Sequence, residues 1–205
     1  MNKPFARAVQ KQRRHFGVAE RCFYLRPVEH ILCGFCYERV PHVGAYIRRY
    51  AYPLYDPIGL FHLAFGDRLP IPEGFMRREE GRARPSDEAA EFVTRIAPYE
   101  SETAEWGQVP AFLALLESQS PLDAPPMVRA HAFTLAALGR YSEAEAELQR
   151  FMTRSDLVDS PHFVNGVPEL RAAISNGGDC ARECLLRWED EAKTRWHRKL
   201  RAPRM

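Results

Sequence analysis

The feature that most constrains the fold is an aromatic-rich first third that prolines and glycines interrupt at short intervals. Twelve of the 23 aromatic residues precede residue 66. Runs rich in aromatic and branched residues, separated by turn-forming residues, are typical of short antiparallel strands. The spacing predicts a four-stranded meander, with strands at residues 22–25, 29–39, 45–52 and 59–65.

A helix is predicted before the first strand, over residues 4–16. Pro4 suits a first helical position, and Phe5, Val9 and Phe16 recur at helical spacing. We expect this apolar stripe to cover one face of the sheet. The opposite side of the helix carries Arg7, Lys11 and Arg14.

The remainder of the chain predicts helices. Helix starts are expected at Ser86 and near Pro110, and further helices over residues 126–138, 168–175 and 179–200. Ser142 and Glu145 have the spacing of a capping box that would begin another. The fold class predicted is therefore α+β, a leading helix on an antiparallel meander followed by a mostly helical half.

The predicted domain boundary is the segment LPIPEGFMRREEGRARPS, which is rich in proline, glycine and mixed charge. It divides the chain into a helix-and-sheet part (residues 1–69), a linker or exposed loop (70–85) and a helical part with a basic tail (86–205).

Two segments resemble known families. Residues 130–151, AHAFTLAALGRYSEAEAELQRF, resemble a single tetratricopeptide-type helical hairpin, which implies a packed helix pair or, alternatively, a peptide-binding groove. Residues 5–66, with the strand CFYLRP, resemble a family of uncharacterised bacterial proteins associated with toxin genes. That second resemblance implies an immunity or accessory role through protein binding.

Composition favours a cytoplasmic protein that is not bound to a membrane. With 45% hydrophobic residues the chain has ample material for a core, and no apolar run approaches the eighteen or so residues of a membrane span. Charge is uneven: residues 1–52 carry a net +7 and residues 86–192 a net −11. This asymmetry either steers a charged partner or is neutralised within the fold.

The five cysteines are an odd number, which fits reduced thiols better than a disulfide framework. The motif Cys33-Gly34-Phe35-Cys36 lies in a predicted strand, where residues three apart point to opposite faces about 10 Å apart. Buried thiols are therefore expected. A zinc site formed by Cys33 and Cys36 with Cys180 and Cys184 stays open as an alternative.

No catalytic, phosphate-binding or dinucleotide motif is present in the sequence, and the seven histidines have no metal-ligand spacing. We therefore expect a non-enzyme without a cofactor, although an enzyme of unrecognised type is the third reading.

The interpretation favoured is a protein-binding module whose partner is an acidic protein. Tyrosine and arginine are frequent in interface hot spots, and both alternate along the third predicted strand. The partner-binding residues predicted are Tyr46, Arg48, Arg49, Tyr50, Tyr52 and His62. The alternatives are that the helical half covers this face, or that the same residues and the basic tail bind nucleic acid.

Overall fold

The computed structural model describes residues 3–19, 22–57, 65–77, 84–119, 124–154 and 164–201. The chain divides into two compact units. The first comprises Met1–Ala51 and Gly66–Gly107, and the second Tyr52–Phe65 and Gln108–Met205. Within the described residues, no helix has both the length and the apolar character needed to cross a membrane.

The first unit is built on a five-stranded antiparallel sheet, which confirms the predicted α+β class. The strands follow one another in chain order: β1 Phe16–Ala19, β2 Cys22–Leu25, β3 Ile31–Val40, β4 Gly44–Pro53 and β5 Phe75–Arg77. Neighbouring strands that are consecutive in sequence form a meander, as the turn spacing predicted.

Two strands differ from the prediction. The leading helix, α1 (Lys3–Gln12), ends four residues early, because Phe16 begins β1 and pairs with Leu25 of β2. Phe16 fits the helical spacing by coincidence, since its ring packs on Phe23 and Phe35 from within the sheet. β5 lies in the segment predicted to be a linker or exposed loop. Residues 59–64 of the fourth predicted strand lie outside the described residues.

α1 and a second helix, α2 (Pro85–Ile96), cover one face of this sheet. The fully buried rings of Phe5 on α1 and Phe92 on α2 lie 5.8 Å apart and both contact Phe23 of β2. The apolar stripe of α1 therefore packs as predicted.

The first unit extends beyond the predicted boundary at residues 70–85. It includes α2, a 3₁₀ turn (Ala97–Tyr99) and the short helix α3 (Glu100–Glu105). Arg95 of α2 donates hydrogen bonds to the carbonyls of Pro72 and Glu73 at 2.9 and 2.8 Å. These two hydrogen bonds attach the proline-rich segment to α2 of the same unit. Composition cannot reveal such a contact, because the partners are more than 20 residues apart.

The second unit is helical, with α4 Val109–Ser118, α5 Pro125–Ala137, α6 Tyr141–Met152, α7 Val167–Ser175 and α8 Gly178–Arg201. α5 and α6 form a hairpin whose turn contains Gly139 at a φ of 75°, a value that favours glycine. The predicted capping box is wrong. Arg140 is the N-cap and makes no side-chain cap bond, while Glu145 pairs with Arg171 at 2.7 Å.

Candidate protein-binding surface

Side chains of β4 alternate between the two faces of the sheet. Arg49 points to the face that carries α3, where it lies over Trp106, whereas Tyr46 and Arg48 point to the opposite face. The predicted run from Tyr46 to Tyr52 therefore does not form one surface.

Tyr46 lies at the centre of an aromatic and basic cluster on the face away from α1. Its ring centroid is 4.8 Å from that of Phe75, because the β4–β5 register places these two residues opposite each other. The guanidinium of Arg68 stacks 4.5 Å above the Tyr46 ring. Both aromatic side chains are partly exposed.

Gly44 leaves space for the Phe75 ring beside β4. A Cβ atom at position 44 would lie 3.0 Å from the ring carbon Cζ of Phe75 and still closer to the carbonyl oxygen of Met76. The absence of a side chain at this position thus shapes the edge of the cluster.

Glu38 of β3 joins the two arginines of the cluster. One of its oxygens lies 3.3 Å from Nε of Arg48, and the other accepts a hydrogen bond of 3.0 Å from Nε of Arg68. One carboxylate facing two guanidinium groups leaves a net charge of +1. We call these five residues, Glu38, Tyr46, Arg48, Arg68 and Phe75, the Tyr46 cluster.

The Arg49 side chain is buried within its own unit. It is 9% exposed, binds both oxygens of Asp67 at 2.8 and 2.7 Å, and donates to Glu102 at 2.5 Å. Burial opposes its charged form, but hydrogen bonds and attraction from the two carboxylates outweigh burial and raise the pKa of Arg49. The predicted exposure of this side chain is wrong.

Tyr50 and Tyr52 are also buried, at 0% and 3% exposure, so the expectation that these rings face solvent is wrong as well. Burial raises the pKa of both phenols above the ordinary value. Strand alternation predicts on which face a side chain lies, but not what covers that face. His62 lies outside the described residues.

Two of the predicted thiols form a disulfide. Cys22 and Cys36 occupy opposite positions of β2 and β3, with Cα atoms 4.1 Å apart, and are bonded to each other. This corrects the prediction of reduced thiols at these positions, since the β2–β3 register brings together cysteines that are distant in sequence. Burial raises the pKa of the Cys33 thiol to about 12.

The cysteines of α8 differ in exposure. Cys180 is exposed and Cys184 is buried. Among the residues that the structure describes, no group of three metal-binding side chains is found. The zinc alternative therefore gains no support from these positions, and Cys36 is already bonded to Cys22.

The second unit contains a buried ion pair that was not predicted. Arg129 of α5, fully buried, donates from Nη2 to Asp56 at 2.6 Å and from Nε at 2.9 Å, and its guanidinium lies 4.5 Å from the Phe133 ring. Beside it, Tyr55 and Thr134 share a hydrogen bond of 2.9 Å. These contacts anchor residues 55 and 56 to α5, a structural role that no sequence motif signals.

Three members of the Tyr46 cluster, Glu38, Arg68 and Phe75, were missed because they contribute only through pairing between distant segments. A three-residue strand such as β5 carries too short an alternation to be recognised.

No protein-family model, curated protein or solved structure matches this chain.

Proposed function

We propose that this protein is a non-catalytic protein-binding module and that the Tyr46 cluster contacts the partner. The observation that carries the proposal is a partly exposed Tyr–Phe pair bordered by two arginines. Tyrosine and arginine dominate interface hot spots because they combine a large contact area with a polar end.

Two exposed apolar side chains belong to segments joined to β4 and extend the surface. Val43, in the turn before β4, is 53% exposed, and Ile71, in the turn before β5, is 70% exposed. The Ile71 turn is tied to β4, since the Ile47 amide donates to the Gly74 carbonyl at 2.8 Å. A partner covering these side chains and the Tyr46 ring would remove apolar area from water.

The preference for an acidic partner rests on Arg68. Its side chain is 53% exposed, and it shares Glu38 with Arg48, so the trio has one positive charge in excess. An acidic group of the partner that approaches Arg68 would balance this excess. A rim charge of this kind contributes more to association rate than to affinity.

An immunity or adaptor protein of bacterial type is the most concrete form of this proposal. It is supported by the resemblance of residues 5–66 and by the absence of a catalytic motif in the sequence. The identity of the neighbouring gene tests this form directly, because an immunity protein is expected beside its toxin.

Photo-crosslinking tests the surface itself. A photoreactive phenylalanine analogue at position 46 should capture one defined protein from host lysate, whereas the same analogue at Thr94, exposed on α2, should not. The variant Tyr46→Ala/Phe75→Ala should lose most of the binding to that protein. Its matched control is Met152→Ala/Leu186→Ala, which removes exposed apolar side chains of the second unit.

The salt dependence of binding distinguishes a protein interface from phosphate binding. Retention of the partner between about 50 and 200 mM salt is expected for an interface with an apolar centre. Equal retention by the Tyr46→Ala/Phe75→Ala variant and the wild-type protein would refute the proposed surface.

A further inference from the structure

α1 carries a basic stripe that the Tyr46 cluster does not use. Arg7, Lys11 and Arg14 are exposed. Arg7 and Lys11, four residues apart, lie on one side of α1, and Arg14 follows two residues after the helix ends at Gln12. Phe5 and Val9, both fully buried, lie on the opposite side. Because that apolar side packs on the sheet and on α2, the stripe points away from the core of its unit.

Arg7, Lys11 and Arg14 have no acidic partner among the described residues, whereas several other arginines of the chain do. Neighbouring Arg13, for example, binds Glu100 at 2.7 Å. Exposed arginines of the second unit are paired in the same way: Arg140 with Glu143, Arg150 with Glu147 and Arg187 with Glu169. The stripe therefore carries three positive charges that the described residues do not neutralise.

We propose that the α1 stripe binds the sugar-phosphate backbone of a nucleic acid. Arg7 and Lys11 are about 6 Å apart along the helix axis, a length over which duplex DNA presents several phosphates. Exposed Arg and Lys side chains without competing carboxylates are what phosphate contact requires. The contact would be independent of sequence, since the stripe offers charge and no groups arranged to read bases.

An acidic protein fits the stripe less well. Stable protein interfaces need a desolvated centre with aromatic or apolar anchors. The positions beside the stripe are instead small or polar, namely Ala6, Ala8, Gln10 and Gln12.

A lipid surface is also disfavoured. An amphipathic helix binds a membrane by inserting its apolar side, and in α1 that side is already buried by Phe23, Tyr37 and Phe92. The stripe and the Tyr46 cluster lie on opposite sides of the sheet, so this inference goes beyond the proposed function and is tested independently of it.

Fluorescence anisotropy with the full-length protein and a labelled 20-base-pair DNA duplex tests the proposal. Three phosphate contacts contribute about −2.7 to the slope of log K against log [salt], equivalent to about a 40-fold loss of affinity between 50 and 200 mM NaCl. The variant Arg7→Gln/Lys11→Gln/Arg14→Gln should lose this share of the slope. The matched control Arg140→Gln/Arg150→Gln/Arg187→Gln removes the same formal charge from paired arginines of the second unit and should keep it.

Folding of the variants is checked by circular dichroism. If the triple variant unfolds, the single variant Arg7→Gln should still reduce the slope by about 0.9. Equal slopes for the wild-type protein and the stripe variants would overturn the proposal, as would no binding at 50 mM NaCl. Binding to phosphatidylserine vesicles without binding to DNA would assign the stripe to lipid headgroups and would also overturn it.

Discussion

Replacing Arg49 and its neighbour Arg48 by methionine, one at a time, should separate an arginine buried in its own unit from one whose side chain is 23% exposed. Arg49 makes charge-assisted hydrogen bonds to Asp67 and Glu102 and lies 4.6 Å from the Trp106 ring centroid. Such hydrogen bonds contribute about 1.5–3 kcal/mol each, and a partly desolvated cation–π contact about 1 kcal/mol. Asp67 and Glu102 are 52% and 57% exposed, so solvent screening discounts these values and water can rehydrate both carboxylates.

The net expectation for Arg49→Met is a loss of about 2–4 kcal/mol in the free energy of unfolding. Arg48→Met is the matched control and should cost about 1 kcal/mol or less, because its ion pair with Glu38 is looser, at 3.3 Å, and Glu38 keeps Arg68 as a partner.

Urea denaturation measures both losses, and far-UV circular dichroism compared with tryptophan fluorescence tests whether the two units unfold together. An unchanged midpoint for Arg49→Met, or a larger shift for Arg48→Met, would refute the assignment of Arg49 to the interior.

Three further predictions concern the thiols and the second unit. The Cys22–Cys36 disulfide closes a loop of about 15 residues, so its reduction should lower the free energy of unfolding by about 3 kcal/mol. Urea denaturation with and without dithiothreitol measures this loss. No shift in the midpoint would count against the bond. Cys33, with a pKa of about 12 against 9.0 when exposed, keeps its proton more tightly when folded, so its contribution to stability is complete below pH 9 and is lost between pH 9 and 12. At pH 8 a thiol reagent should therefore label exposed Cys180 well before Cys33, as peptide mass spectrometry will show, and the reverse order would contradict the burial of Cys33. Arg129→Met should lower the free energy of unfolding by about 3–5 kcal/mol, because it leaves the Asp56 carboxylate buried without the guanidinium. Arg129→Met/Asp56→Leu should recover part of that loss in urea denaturation. Equal losses for the two variants would mean that the ion pair itself does not matter.

Helices were predicted well from sequence because their signals are local. Pro110, Pro126 and Pro168 each lie in the first turn of a helix, and α5 ends at Ala137, one residue before the predicted end. Each of these residues influences only the helix end nearest to it, so a short stretch of sequence is enough to predict that end.

Pairing between distant segments was not predictable in the same way. The bond between Cys22 and Cys36 depends on the β2–β3 register, and the Tyr46–Phe75 contact depends on a strand of only three residues. The environment of Arg49 depends on Asp67 and on Glu102 of α3, 18 and 53 positions away. Alternation along a strand carries no information about which side chains will meet Arg49 on its face.

The charge asymmetry along the sequence becomes much smaller when the residues are grouped by structural unit. Cut at residue 52, the chain begins with a net +7, but the first unit also contains 66–107, where acidic residues outnumber basic ones. The whole unit has sixteen basic and thirteen acidic residues, a net +3, and the second unit has a net −1. Much of the N-terminal positive charge is therefore neutralised within the first unit. The ion pairs there are Arg13 with Glu100, Arg39 with Glu88 and Arg49 with Glu102. Long-range steering by the N-terminal charge consequently loses its basis, and positive charge acts locally instead, at exposed Arg68 of the Tyr46 cluster and along the α1 stripe.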